Sequence, residues 1–176
     1  MKQIFLDLGM QPIANNFLQN NKGEEFKFHL TVKFDNDTKL VSLGEFVKPE
    51  MMFNDDYVYH SSNSSTMRQH FSSIAECLKD EFSPKRVLEI GSNDGVFVQY
   101  FDSDSTVAVE PCGNFAKLTN TLGYKTYDRF WNKATSELIT SEDGKRDLVY
   151  SANCICHIQD LNDTFSSIFN ILSEDG

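Results

Sequence analysis

Three short stretches of this chain hold the residues whose types and spacing could do chemistry. The first is Glu89-Ile90-Gly91-Ser92-Asn93-Asp94-Gly95. Gly91 and Gly95 permit a tight turn and a close approach of ligand to backbone. A glycine turn between a strand and a helix is a general nucleotide-binding device, because the helix N-terminus presents free N–H groups and a positive dipole end. The spacing Glu-x-Gly-x-x-x-Gly differs from the Gly-x-Gly-x-x-Gly of dinucleotide binders. The second is Glu110, followed by Pro111. A carboxylate at a strand end can accept both hydroxyl hydrogens of a ribose. The third is Ala152-Asn153-Cys154-Ile155-Cys156-His157, with an amide, two thiols and an imidazole. Imidazole is the side chain that most readily exchanges a proton near neutral pH, so His157 is a catalytic candidate, standing at this point as open as Asn153 between a role in the site and a structural one. Glu89 sits inside an apolar run and needs a partner once buried, either nearby backbone or an amine of a ligand.

These residues gain meaning from the elements that hold them. Val87, Leu88 and Ile90 read as a strand covered on both faces, with a helix expected from about 95 to 101. Residues 106–110 and 147–152 read as further strands, and 124–127 as a short one. Helices are expected near 112–122, 131–140 and 161–172. Alternating strands and helices predict a parallel sheet with right-handed crossovers and helices on both faces. Glu110 and Asn153 then fall at the carboxyl ends of strands, where open α/β sheets bind ligands. The clearest helix is 66–82, where Met67, Phe71, Ile74, Ala75, Leu78 and Phe82 recur at helical spacing. Thr66 and Gln69 match a capping box, and Pro84 ends the helix. Toward the N-terminus, residues 26–34 alternate apolar and polar and pair with 40–43 as a hairpin. Residues 1–22, broken by Gly9 and Pro12, read as an extended segment or turn. The domains expected are a small hairpin subdomain with a closing loop, 1–62, and an α/β domain, 63–176.

Composition narrows the classes. Sixteen basic against 26 acidic residues give a net charge of −10. No basic cluster is present, so a nucleic-acid partner is disfavoured and a small-molecule substrate suits better. No apolar run approaches a membrane span, and the start, Met1-Lys2-Gln3-Ile4-Phe5-Leu6-Asp7, lacks the apolar core of a signal peptide. A cytoplasmic location is therefore expected, with Cys77, Cys112, Cys154 and Cys156 kept as thiols. Cys154 and Cys156, lacking ligand partners elsewhere, read as buried thiols and not as metal ligands.

The Glu-x-Gly-x-x-x-Gly turn resembles motif I of class I S-adenosylmethionine-dependent methyltransferases. Further pieces resemble the C-methyltransferases that act on nucleotide-linked deoxyhexoses. They include Leu6-Asp7-Leu8-Gly9-Met10-Gln11-Pro12-Ile13-Ala14-Asn15, Pro49-Glu50-Met51-Met52-Phe53 and Tyr57-Val58-Tyr59-His60-Ser61-Ser62. Val109-Glu110-Pro111 and Ala152-Asn153 through His157-Ile158 complete the set. The resemblance implies a Rossmann-like methyltransferase fold behind a small N-terminal domain. It implies that Gly91, Ser92, Asn93 and Gly95, with Glu89, hold the methionine part of S-adenosylmethionine. Glu110 and Pro111 would lie at its ribose, and the loop with Tyr59 and Ser61 would close over it. Asn153 and His157 would face the reaction centre, and S-adenosylhomocysteine would be the product.

Two departures accompany the resemblance. Members of that family carry a zinc ribbon held by two Cys-x-x-Cys pairs. Asp35-Asn36-Asp37-Thr38 stands where the second pair would fall, so no structural zinc is expected. The chain also stops at the turn that would lead into a fifth strand, so it is expected to be truncated, with the substrate-binding part and the general base beyond Gly176. That leaves the fourth strand as a sheet edge, which invites pairing into a homo-oligomer. The alternatives are a cofactor-binding module without catalysis, serving a partner or regulatory role, and an NAD-dependent enzyme with a variant turn.

Overall fold

The computed structural model describes residues 2–18 and 24–176. Two compact units make up the chain, Met1–Tyr59 and His60–Gly176.

The first unit is an antiparallel sheet in the order β1-β2-β3, with β1 at Lys2–Pro12, β2 at Lys27–Asp35 and β3 at Val41–Leu43. The hairpin from β2 to β3 follows the alternation, and the Asp35 and Lys39 backbones close its turn. The N-terminal segment differs from the expectation: it is a full strand that pairs with β2 from Lys2–Asp35 to Pro12–Lys27. Ladder pairing outweighs the two breakers because each sits where it does little harm. Gly9, at φ 67°, occupies a shift of register between Asp7 and Met10, where its N–H is donated to Asp7 Oδ1 at 2.9 Å. Pro12 ends the strand, where a missing ladder N–H costs least. His29, opposite Met10 on the polar face, lies 2.7 Å from Asp7 Oδ1. A helical turn, α1, follows at Pro49–Met52 with proline at its start.

The second unit contains α2 (Ser65–Phe82), β4 (Val87–Ile90), β5 (Thr106–Val109), α3 (Gly113–Thr121), β6 (Lys125–Tyr127), α4 (Lys133–Asp143), β7 (Leu148–Tyr150) and α5 (Leu161–Ile171). Its four strands are all parallel, in the order β6-β5-β4-β7. Every residue of β4 and β5 is buried, which explains why both are apolar apart from Glu89 and Thr106. Leu88, Ile90, Val107 and Val109 form one core with Ile139 of α4 and Ile171 of α5. Val87 faces the opposite way, into a core with Phe71 and Ala75 of α2 and with Phe97 and Phe101. Helices therefore cover both faces, as the alternation requires. The described sheet ends at β6 and β7, and just before β7 Arg146 forms one parallel bridge with Leu172.

Two local expectations are corrected. The cap of α2 is Ser64, whose hydroxyl accepts from the Met67 N–H at 3.2 Å, and not a box built on Thr66. The stretch expected as a helix over 95–101 forms tight turns and a short 3₁₀ segment, Val98–Tyr100. Val96, Phe97, Val98 and Phe101 are all buried. Three consecutive residues of an α-helix sweep well beyond one face, so a regular helix would turn one of them outward. Tight turns keep all of them inside, with Phe97 stacked on Tyr150 at 3.7 Å between ring centres.

Candidate functional site

The glycine turn leaves the end of β4 and crosses the end of β5. Gly91 donates its N–H to Val109 O at 2.8 Å, and Ser92 donates to the same oxygen at 3.3 Å. Left-handed backbone occurs at Gly91 (φ 78°), Asn93 (φ 49°) and Gly95 (φ 77°). Glycine is required at the first for a second reason. A Cβ there would stand 2.6 Å from both Cβ and Sγ of Cys154. The segment after β7 thus lies directly against the turn, tied further by Ser151 Oγ, which donates to Ile90 O at 3.0 Å.

Glu110 follows β5 and is buried. Its carboxylate accepts from the Asn93 N–H at 2.7 Å through one oxygen and from the Cys112 N–H at 2.9 Å through the other. Burial raises its pKa, and the two amide bonds oppose that rise. The residue read from sequence as a ribose acceptor is thus also the brace that joins the turn to the start of α3. The Cys112 side chain hydrogen-bonds it as well, which still leaves lone pairs of the carboxylate for a further donor. Glu89 is buried in the middle of β4, and burial, followed by the charge of Glu110, pushes its carboxyl well above the usual range. The Val98 N–H supplies a hydrogen bond, but Oε2 has no partner.

Asn93 and Asp94 reach the other way, to the start of this unit. Asn93 Oδ1 accepts from the Ser61 N–H at 2.9 Å, and Asp94 Oδ2 accepts from the Ser62 N–H at 3.1 Å. His60 Nδ1 lies 3.3 Å from the same Asp94 oxygen, and its ring meets Phe115 edge-on at 4.7 Å. Asp94 Oδ1 and Ser92 Oγ are buried without hydrogen-bond partners. Sequence reading missed His60 and Asp94 as site residues. Both stood inside quoted motifs, but nothing in their spacing announces a contact across 34 positions.

The remaining candidates are placed as follows. Ser61, Glu89, Gly91, Ser92, Asn93, Gly95 and Glu110 come together around the turn, with Pro111 next to Glu110 in the chain. Asn153, exposed and left-handed at φ 54°, precedes Cys154, which touches the turn. His157 ends a 3₁₀ segment, Ile155–His157, and is exposed. Tyr59 belongs to the first unit, where it is half-exposed. The dipole expected from a helix after the turn is not available, since 98–100 is a single 3₁₀ turn. The thiols divide: burial, then the charge of Glu110, pushes the Cys154 thiol up to about 12, whereas Cys156 is exposed, contrary to the expectation that both are buried.

A family model described as "Methyltransferase domain" matches residues 63–176. The chain belongs to this family. A second model, described as "Putative zinc binding domain", matches residues 2–53. Among solved structures, the chain is similar to the plantazolicin methyltransferase BamL, whose crystal structure is a complex with a triazolic desmethylPZN analog and SAH. The two are 18% identical with a TM-score of 0.50, over 64% of this chain and 45% of that one, which supports a shared fold. This chain therefore spans less than half the length of that protein. No curated protein matches the chain.

The zinc-domain match was tested against the residues present. Structural zinc takes cysteine and histidine ligands. Residues 2–53 contain no cysteine and one histidine, His29, which contacts Asp7. Among the described residues no group of three or more His, Cys, Asp or Glu side chains could hold a metal ion. The residues present do not fit a structural zinc. Among the same residues, no helix is long and apolar enough to cross a membrane.

Proposed function

We infer that the turn 91–95 holds S-adenosylmethionine and that the chain is the cofactor-binding part of a methyltransferase acting on a small molecule, a nucleotide-linked keto-deoxysugar by preference. One observation carries the reading: Glu89 Oε2, Ser92 Oγ and Asp94 Oδ1, all buried within six residues at the end of the central strand, lack hydrogen-bond partners. Buried polar atoms in a native fold are normally paired, so a run of orphans marks groups that await a ligand. S-adenosylmethionine fits this donor and acceptor set, since its ammonium and its ribose hydroxyls supply hydrogens. Glu110 is the ribose acceptor, using the lone pairs its two amide bonds leave over. Gly91 and Gly95 keep the backbone bare beside the ligand, with Ser92, Asn93 and Pro111 around it, and Tyr59 and Ser61 belong to the closing segment. When bound, the cofactor supplies an electrophilic methyl group on a sulfonium.

The sugar preference rests on the motif pieces spread from Leu6 to Ile158. Methylation at carbon requires a proton to leave the carbon beside a keto group, and stabilisation of the oxyanion that develops. His157 is the residue of this chain assigned to touch the substrate and exchange that proton, with Asn153 beside it. A cytoplasmic setting is part of the same reading, and self-association is inferred from the position of β7 at the edge of the described sheet. The test is calorimetry with S-adenosylmethionine, followed by transfer of a labelled methyl group to a panel of nucleoside-diphosphate keto-deoxyhexoses. Absence of binding sinks the reading. Binding without transfer to any of them favours the module without catalysis.

A further inference from the structure

Glu89, Asp94 and Glu110 place three carboxyl groups around one turn. Glu89 is 3% exposed, Glu110 4% and Asp94 6%. The charged groups acting on Glu89 are Glu110 and Asp94, and both act against its ionisation. From β7 and the segment after it, Tyr150 and Cys154 face its charge, and neither supplies a cation. From α2, the buried neighbours in its core are Phe71 and Ala75, which are apolar. The nearest basic side chain of the cluster, His60, is spent on the outer oxygen of Asp94. The inner oxygen, Asp94 Oδ1, has no partner, and neither has Glu89 Oε2. Two orphaned carboxyl oxygens and an orphaned hydroxyl ask for a group that brings several hydrogens and positive charge. A primary ammonium does both, a sulfonium brings charge without a hydrogen, and a phosphate does neither.

We propose that the turn takes up the ammonium end of its ligand with release of a proton from Glu89, so that cofactor binding is proton-linked. This rests on the reading of the turn as an S-adenosylmethionine site. Before binding, burial and the neighbouring carboxyl groups push Glu89 toward its neutral form. When the ammonium arrives, the Glu89 O–H bond breaks, its proton passes to solvent, and the carboxylate left behind accepts hydrogens from the ammonium. Removing the countercharge returns the proton. Binding therefore strengthens as pH rises, by up to about tenfold per unit while the free site is protonated and the bound one is not.

The experiment is titration calorimetry on the whole chain near neutral pH, in phosphate and in Tris, whose ionisation heats differ. Three ligands are used: S-adenosylmethionine, S-adenosylhomocysteine and 5′-methylthioadenosine. The first two carry the ammonium; the third shares the nucleoside and the thioether but lacks the amino acid. About one proton released with the first two and none with the third is the expected result. In Glu89→Gln the release and the pH slope disappear, and affinity falls for the two ligands that carry the ammonium but not for 5′-methylthioadenosine. Should that variant fail to fold, the contrast between ligands on the unaltered chain still decides. Buffer-independent heats for S-adenosylmethionine, or equal release with 5′-methylthioadenosine, overturn the proton linkage and leave the cofactor site standing. No heat with any of the three refutes the cofactor reading, and this inference with it.

Discussion

Replacing Gly91 by alanine tests the geometry of the site most directly. Two costs add at this position. The residue sits at φ 78°, where a Cβ costs about 1–2 kcal/mol. That Cβ would then lie 2.6 Å from Cβ and Sγ of Cys154. A contact with a Cβ cannot be relieved by rotating a side chain, so backbone must move, at a further ~1–3 kcal/mol. Gly91→Ala should therefore destabilise by about 2–5 kcal/mol. Gly95→Ala isolates the first cost. Its φ is 77°, but the nearest atoms to its Cβ, on Leu122 and Thr119 side chains, lie at 3.2 Å. It should cost ~1–2 kcal/mol with only small extra strain. The assay is urea unfolding followed by the fluorescence of Trp131, the sole tryptophan, buried in the second unit. Cys154→Gly in the same chain removes both clashing atoms and should restore about 1–3 kcal/mol, read as the coupling in a double-mutant cycle. Cys154→Ala, which keeps the Cβ, should restore less. Equal costs for the two glycine variants, with coupling to Cys154→Gly below about 0.5 kcal/mol, would refute the contact.

Ser64→Ala should cost about 1 kcal/mol as a lost cap, whereas Thr66→Ala should stay within ~0.5 kcal/mol; urea unfolding compares them. Glu110→Gln turns an amide donor toward the Asn93 or Cys112 N–H and should cost about 1–3 kcal/mol, with a loss of affinity for S-adenosylmethionine measured by calorimetry. At the edge of the sheet, the Tyr127 hydroxyl and Lys125 hold the Glu142 carboxyl below its ordinary range, and, against the effect of burial, that of Asp143 too. Folded values below unfolded ones mean that this stabilisation is complete above the unfolded carboxyl range, about pH 4, and is lost as pH falls through the folded values. In Tyr127→Phe both groups move back toward ordinary values, so the acid loss of stability measured by urea unfolding should become shallower. Zinc measured by plasma mass spectrometry on protein purified without chelator should fall far below one per chain, because residues 2–53 offer no thiolate.

What could be read from sequence follows the strength of local signals. β4 and β5 were legible because strands covered on both faces are mostly apolar, and the order of strands and helices carried the parallel sheet. β2 and β3 were legible from alternation. β1 was not, because its pairing with β2 is a tertiary fact that outweighs Gly9 and Pro12. In the candidate site, the glycine turn and Glu110 have fixed offsets within a strand, turn and strand, so their spacing marks them as candidates. The contacts of His60 and Ser62 with Asp94 join positions more than thirty residues apart, and only the fold brings them together.

The misread stretch at 95–101 has the largest consequence for function. A glycine turn opening an α-helix suits anions, because free N–H groups and the dipole point at the ligand. Here the buried run from Val96 to Val98 forbids the regular helix, and the turn is surrounded by Glu89, Asp94 and Glu110 in place of a dipole. A dinucleotide would bring its diphosphate to this turn, beside the carboxyl groups of Asp94 and Glu110. Each phosphate would meet like charge, with no α-helix opening directly from the turn to offset it. The same groups favour a ligand that brings an ammonium to the turn. The loss of the helix thus counts against the NAD alternative and in favour of S-adenosylmethionine, by the sign of the charge that each ligand presents.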